Sequence, residues 1–156
     1  MRILSPLIFL IACTACSSAP PVAVERLHAS SYCGDETGGI RFIDTAQLQT
    51  LMRSDPLTHA WGAPDPAPVD TKGKHLLLIS LGQKPSGGYG LMLQGDSVEV
   101  EDGILRLPIR MEEPPPGSMQ TRQITRPCLV IGLGPGNYRE VQVPALPGMA
   151  ARAAAP

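Results

Sequence analysis

The chain has 156 residues, enough for one domain with some loose ends, and carries 13 basic against 14 acidic residues for a net charge of −1. That balance excludes a basic nucleic-acid-binding surface and electrostatic adhesion to a membrane. With 17 Pro and 16 Gly, long helices are excluded too, and short strands joined by tight turns are the expected solution.

The N-terminus has the form of a secretory signal. Arg2 supplies the positive charge, and Ile3 to Ile11 is an apolar run broken by Ser5 and Pro6. A run of that length is too short to span a bilayer, which needs about 20 apolar residues. Two cysteines close the segment, in Leu10-Ile11-Ala12-Cys13 and Cys13-Thr14-Ala15-Cys16. Both resemble the bacterial lipobox, whose cysteine is acylated after cleavage. Leu10 favours Cys13; signal length favours Cys16. Cleavage before Cys16 also leaves an even pair of cysteines, Cys33 and Cys128. Residues 1–15 are thus expected to be a lipoprotein signal and 16–21 a tether, with Cys13 the alternative lipidation site. Neither cysteine is followed by Asp. By resemblance to enteric sorting rules, this implies an outer-membrane lipoprotein facing the periplasm or the surface.

The remaining chain, 22–144, is expected to be one β-rich domain. Val22 to His28 alternates apolar and polar residues and predicts a first strand. Ser30 to Gly39 is a loop carrying Cys33. In an oxidising compartment, Cys33 and Cys128 most often form a disulfide; free structural thiols, thiol chemistry or a metal site are the alternatives. Outside the proposed signal segment, where Cys13 and Cys16 themselves stand in CxxC spacing, no CxxC pair occurs; no HxxxH pair occurs anywhere, and His28, His59 and His75 show no recognisable spacing to Cys33 or Cys128. Gly39 to Ile43 is a short strand. Asp44, with Gln47 three residues on, has capping-box spacing for a helix over Thr45 to Arg53. Its apolar side, Ala46, Leu48, Leu51 and Met52, is suited to covering a sheet edge or an open core. Pro56 to Asp70 is a Pro/Ala/Asp surface loop. Trp61 within it is either a recognition anchor or a plug at the core's edge.

From His75 the β signal strengthens. His75 to Leu81 is a continuous apolar run and predicts a central strand. Tyr89 to Leu93, Ser97 to Glu101, Ile104 to Met111, Cys128 to Leu133 and Tyr138 to Val143 follow as strands. Asp102-Gly103 is a hairpin turn. Pro114-Pro115-Pro116-Gly117 makes a rigid loop. The tail 145–156 is Ala/Pro-rich and is expected to be disordered. The fold class that follows is mainly β, an antiparallel sandwich or partly open barrel with one short helix.

The most specific stretch is Leu81-Gly82-Gln83-Lys84-Pro85-Ser86-Gly87-Gly88-Tyr89-Gly90, a Gly/Pro/Ser loop between apolar runs that ends on an aromatic. A P-loop is excluded, since Lys84 precedes the glycines and a strand follows. With the Val/Glu hairpin, the Pro-rich loop and Ile124-Thr125-Arg126-Pro127-Cys128, this stretch resembles the C-terminal domain of the PrcB family over residues 74–144. Those proteins are lipoproteins that associate with and stabilise a surface serine protease complex. A fainter likeness is to chagasin-type inhibitors of papain-like proteases, whose two binding loops Lys84–Tyr89 and Arg126-Pro127 match loosely, without the family's Asn and Trp. The resemblance implies a binding protein with no catalytic residues, no cofactor and no metal. Lys84, Pro85, Ser86, Gly87, Gly88, Tyr89, Arg126 and Pro127 would meet an envelope protein, with a protease as the partner class the family implies, while the membrane is engaged through the lipid. A plain structural envelope lipoprotein is the competing expectation, with the glycines only shaping a tight connection and Tyr89 packed in the core. Neither nucleic acid nor a small-molecule substrate is expected.

Overall fold

A computed structural model describes residues 20–56, 66–146 and 150–152. The proposed signal and lipidation sites Cys13 and Cys16, together with His59 and Trp61, lie outside these residues. Among the described residues, no helix is long and apolar enough to cross a membrane.

The fold is built around two strands buried on both faces. β1 (Val22–Ser30), β2 (Gly39–Ile43), β3 (His75–Ser80), β5 (Ser97–Val98) and β9 (Cys128–Leu133) form an antiparallel sheet in the order β2-β3-β9-β1-β5. Every residue of β9 and all but the first of β3 are buried. This explains why both are continuous apolar runs rather than alternating ones. Leu77, Ile79, Leu129, Ile131 and Leu133 point to one face, where Val22 and Val24 join them. Leu76, Leu78 and Val130 point to the other.

The first face packs on a second layer. β6 (Val100–Glu101), β7 (Ile104–Arg106), β10 (Glu140–Gln142) and β11 (Ala150–Arg152) form a sheet in the order β11-β10-β7-β6, with β7 and β10 parallel. β4 (Gly90–Leu93) and β8 (Ile109–Glu112) pair as a separate ribbon. Leu91, Leu105, Leu107, Ile109, Val141 and Val143 fill the space between the layers. The opposite face is covered by α1 (Thr45–Ser54), through Leu48 and Met52, beside Ile43 and Cys33. The predicted helix therefore has the covering role its apolar side suggested. Its capping box is formed: Gln47 N–H donates to Asp44 Oδ1 at 2.7 Å, and Asp44 N–H donates to Gln47 Oε1 at 2.9 Å. Past the helix end, the buried Asp55 carboxylate stands 3.1 Å from His28 Nε2, pinning α1 to β1 where that strand bulges between Arg26 and His28.

The mainly β, sandwich-like class holds, and no closed barrel forms among the described residues. Four expectations are corrected. Ser97 to Glu101 is not one strand: Ser97 and Val98 pair with β1, while Val100 and Glu101 pair with β7, so the chain changes layers at Glu99. Ile104 to Met111 breaks at Leu107-Pro108, because Pro108 lacks the N–H a ladder needs, and β7 and β8 join different partners. Tyr138 precedes its strand rather than starting it. The tail expected to be disordered contributes β11, which pairs antiparallel with β10. The Asp102-Gly103 hairpin forms with φ of 52° and 74°, the paired positive values of a type I′ turn.

Candidate functional site at the disulfide end

The β3–β9 ladder does not stop at the strand ends. Leu81 N–H donates to Pro127 O at 2.9 Å. Lys84 and Thr125 exchange both backbone bonds, at 2.8 and 3.0 Å, and Gly87 N–H reaches Thr121 O at 3.1 Å. The buried Thr125 hydroxyl donates to Ser86 O at 2.9 Å. The Gly-rich loop and the segment leading into β9 are therefore zipped into one double-stranded projection.

A third segment, 31–38, is stitched beside it. Gly34 N–H donates to Arg126 O at 2.8 Å, Arg126 N–H to Ser31 O at 2.7 Å, and Gln83 N–H to Glu36 O at 3.0 Å. Cys33 and Cys128 form a disulfide at the base, with Cα atoms 5.5 Å apart, and both are buried. The pairing expected from the compartment is the one observed, and it takes both sulfurs out of nucleophilic or metal-binding chemistry. Backbone bonds and a covalent staple thus fix three loops relative to one another, at little further entropy cost on binding.

Gly88 shows why the loop has this sequence. Its φ is +86°, and a Cβ there would lie 2.6 Å from Gln120 Oε1 and 2.9 Å from Pro114 Cβ. At Gly87 a Cβ would meet Thr121 Oγ1 at 2.6 Å. The glycine pair lets the Pro-rich loop lie directly on the Gly-rich one.

The sequence-predicted residues are placed unequally. Pro85 and Gly88 are exposed, while Lys84, Ser86, Gly87 and Tyr89 are half-buried. Tyr89 packs against the main core, and Lys84 Nζ sits 5.4 Å from the centre of its ring, a cation–π distance. Tyr89 is thus a support under Lys84 rather than a free aromatic wedge. Arg126 is exposed, with its guanidinium 3.9 Å from the Glu36 carboxylate. Pro127 is buried and serves through its carbonyl, because it continues the central ladder.

Two residues that sequence reasoning missed dominate the surface. Met119 is 99% exposed and Ile124 is 63% exposed, both in the segment that covers the glycines. Ile124 carried a faint signal, as the one apolar residue in Thr121-Arg122-Gln123-Ile124-Thr125. Among the described residues, no group of three His, Cys, Asp or Glu side chains converges as a metal site.

Residues 76–133 match the family model described as PrcB C-terminal, a span running from β3 through β9 and containing both zipped loops. No curated protein and no solved structure matches the chain.

Proposed function

We propose that this chain, which carries a PrcB C-terminal domain over residues 76–133, is a lipid-anchored envelope protein whose disulfide end binds another envelope protein. The partner class suggested by the family is a protease complex, and the role is accessory or stabilising rather than catalytic. One observation carries the reading: exposed Met119 and Ile124 belong to the segment that covers the Gly-rich loop, at the covalently stapled, backbone-bonded end of the molecule that also carries Lys84 and Arg126. Large apolar side chains held out on a rigid scaffold are the usual anchors of a protein interface.

The chagasin-like alternative loses its second loop. Pro127 is buried and Cys128 is committed to the disulfide, so Arg126 is the one exposed side chain of the three and no aromatic wedge stands there.

The reading has two halves and each has a test. Intact mass of the mature protein purified from membranes should show an acylated cysteine at the chain start, at Cys16 by preference; a lipid-free mass removes the anchor. Crosslinked capture from detergent-solubilised envelopes should enrich a protease with the wild type and lose it with Ile124→Asp or Met119→Asp. An unchanged partner set with both folded variants rules out the disulfide end as the binding surface.

A further inference from the structure

We propose that the groove between β1 and β4 binds an extended peptide carrying an acidic residue, which adds as a strand to the open edge of β1. β5 covers that edge only at Val22 and Ala23, and Val24 N–H closes the ladder on Asp96 O at 2.8 Å. From Glu25 to Ser30, β1 is paired with β9 on one side; on its other side no backbone hydrogen bond is made among the described residues. β4 is in the same condition: β8 pairs one edge, and the edge toward β1 has no strand partner. Two rows of strand backbone therefore flank one groove.

The groove consists of two adjoining cavities of about 280 and 390 Å³, which meet at Arg26 and Met92. Glu25, Arg26 and Ala29 form one wall, and Gly90, Leu91 and Met92 the other. At about 3.3 Å per residue, the open length of β1 accommodates a peptide of about six residues. An extended peptide is the ligand that unpaired strand backbone recognises, by main-chain hydrogen bonds with pockets for alternate side chains. An open edge is also a liability that proteins blunt with charges and bulges; here the bulge at Arg26/His28 sits in the middle of the open stretch.

The charge pattern selects the peptide. Of the three acidic residues in the lining, Glu25 is paired with Lys74 and Glu112 with Arg110. The third, Asp96, lies at the end where β5 closes the edge; its carboxylate accepts only from the Ser97 hydroxyl among the described residues and directs an acidic peptide residue away from that end toward Arg26. Arg26 is exposed, lies where the two cavities meet, and has no ion-pair or side-chain hydrogen-bond partner among the described residues. Its planar donor set suits a carboxylate. Met92, 39% exposed, offers an adaptable apolar contact for the neighbouring peptide side chain. A peptide is favoured over a second copy of the chain, because β4 stands beside the edge and leaves a slot rather than an open flank for a folded sheet.

The test uses the whole mature chain and a blocked, fluorescein-labelled Thr-Val-Glu-Val-Thr-Val peptide. Anisotropy should show saturable binding. Replacing the peptide Glu by Lys should weaken binding about tenfold or more, the worth of one charge-assisted hydrogen bond. Arg26→Glu should reverse that preference, and its exposed position leaves the fold intact. Methylating alternate peptide amides should abolish binding, and hydrogen exchange should slow within 25–30 and 90–93. Absence of binding, indifference to Arg26→Glu, protection confined to the disulfide end, or self-association at this edge in place of peptide binding would each overturn the proposal. One end of the groove abuts the disulfide-end platform at Ser31, Tyr89 and Cys128, but Ile124 lines neither cavity, so Ile124→Asp should leave peptide binding unchanged.

Discussion

Gly88 and Gly117 both hold left-handed backbone, at φ of +86° and +78°, yet their surroundings differ completely. A Cβ at Gly117 meets nothing within 4 Å, whereas one at Gly88 runs into Gln120 and Pro114. Gly117→Ala should therefore cost about 1 kcal/mol, the backbone term alone. Gly88→Ala should cost about 2–3 kcal/mol, because the two loops must also separate. Urea unfolding of the two variants checks this; equal losses would mean that the loop contact carries no energy. Tyr138 gives a pH signature at the same scale. It is 8% exposed, and its hydroxyl donates to Gly134 O at 3.3 Å. Burial pushes its phenol up from the ordinary value of 10.0. The folded state thus holds this proton more tightly than the unfolded chain does. The stabilisation is complete below about pH 10 and is lost as pH rises through the folded value. Tyr138→Phe should cost about 1 kcal/mol at neutral pH. The gap between wild type and variant should shrink as stability is measured at increasing alkaline pH; a gap that stays constant would contradict the assignment.

At the scale of elements, α1 is held by its burial more than by its cap. Leu48 is fully buried against the face formed by Leu76, Leu78 and Val130. Leu48→Ala should lose about 3 kcal/mol through the cavity it leaves, while Asp44→Ala, which removes half of the capping box, should lose about 1 kcal/mol. Thermal unfolding of the two variants should rank them in that order; the reverse order would make α1 a locally stabilised appendage. The same residues explain what was legible in sequence. The capping box is local, so Asp44 and Gln47 announced it. The double burial of β3 and β9 removes polar residues from both faces, so their runs announced it as well. The sheet to which a short strand belongs is not local. Val98 and Val100 share one alternation yet pair in different layers, and β11 is built from Ala150, Ala151 and Arg152, which carry no alternation to detect. The site divides in the same way. Its glycines marked a specified loop, but Pro127 is buried by the register of β9, and the exposure of Met119 and Ile124 depends on contacts far along the chain.

At the scale of the molecule, β1 sets a polarity. It leaves the N-terminal segment at Val22 and delivers the chain to the disulfide end at Ser30, about 26 Å away for a strand of this length. The segment on which the lipid anchor is proposed thus joins the domain at the end of β1 away from the disulfide. The disulfide matters at this scale because it closes a 95-residue separation and ties segment 31–38 to the first residue of β9. Loop-closure entropy assigns such a link about 4.7 kcal/mol. Replacing both cysteines by Ser should lower unfolding free energy by about that amount. Hydrogen exchange in this variant should rise first in 31–38, 81–87 and 121–127, the segments that the staple holds together. If exchange rises evenly across β1, β3 and β9 instead, the bond stabilises the whole sheet and the platform has no separate claim on it. A rise confined to the three segments would show that the staple's main structural effect is the rigidity of the surface on which partner binding is proposed to depend.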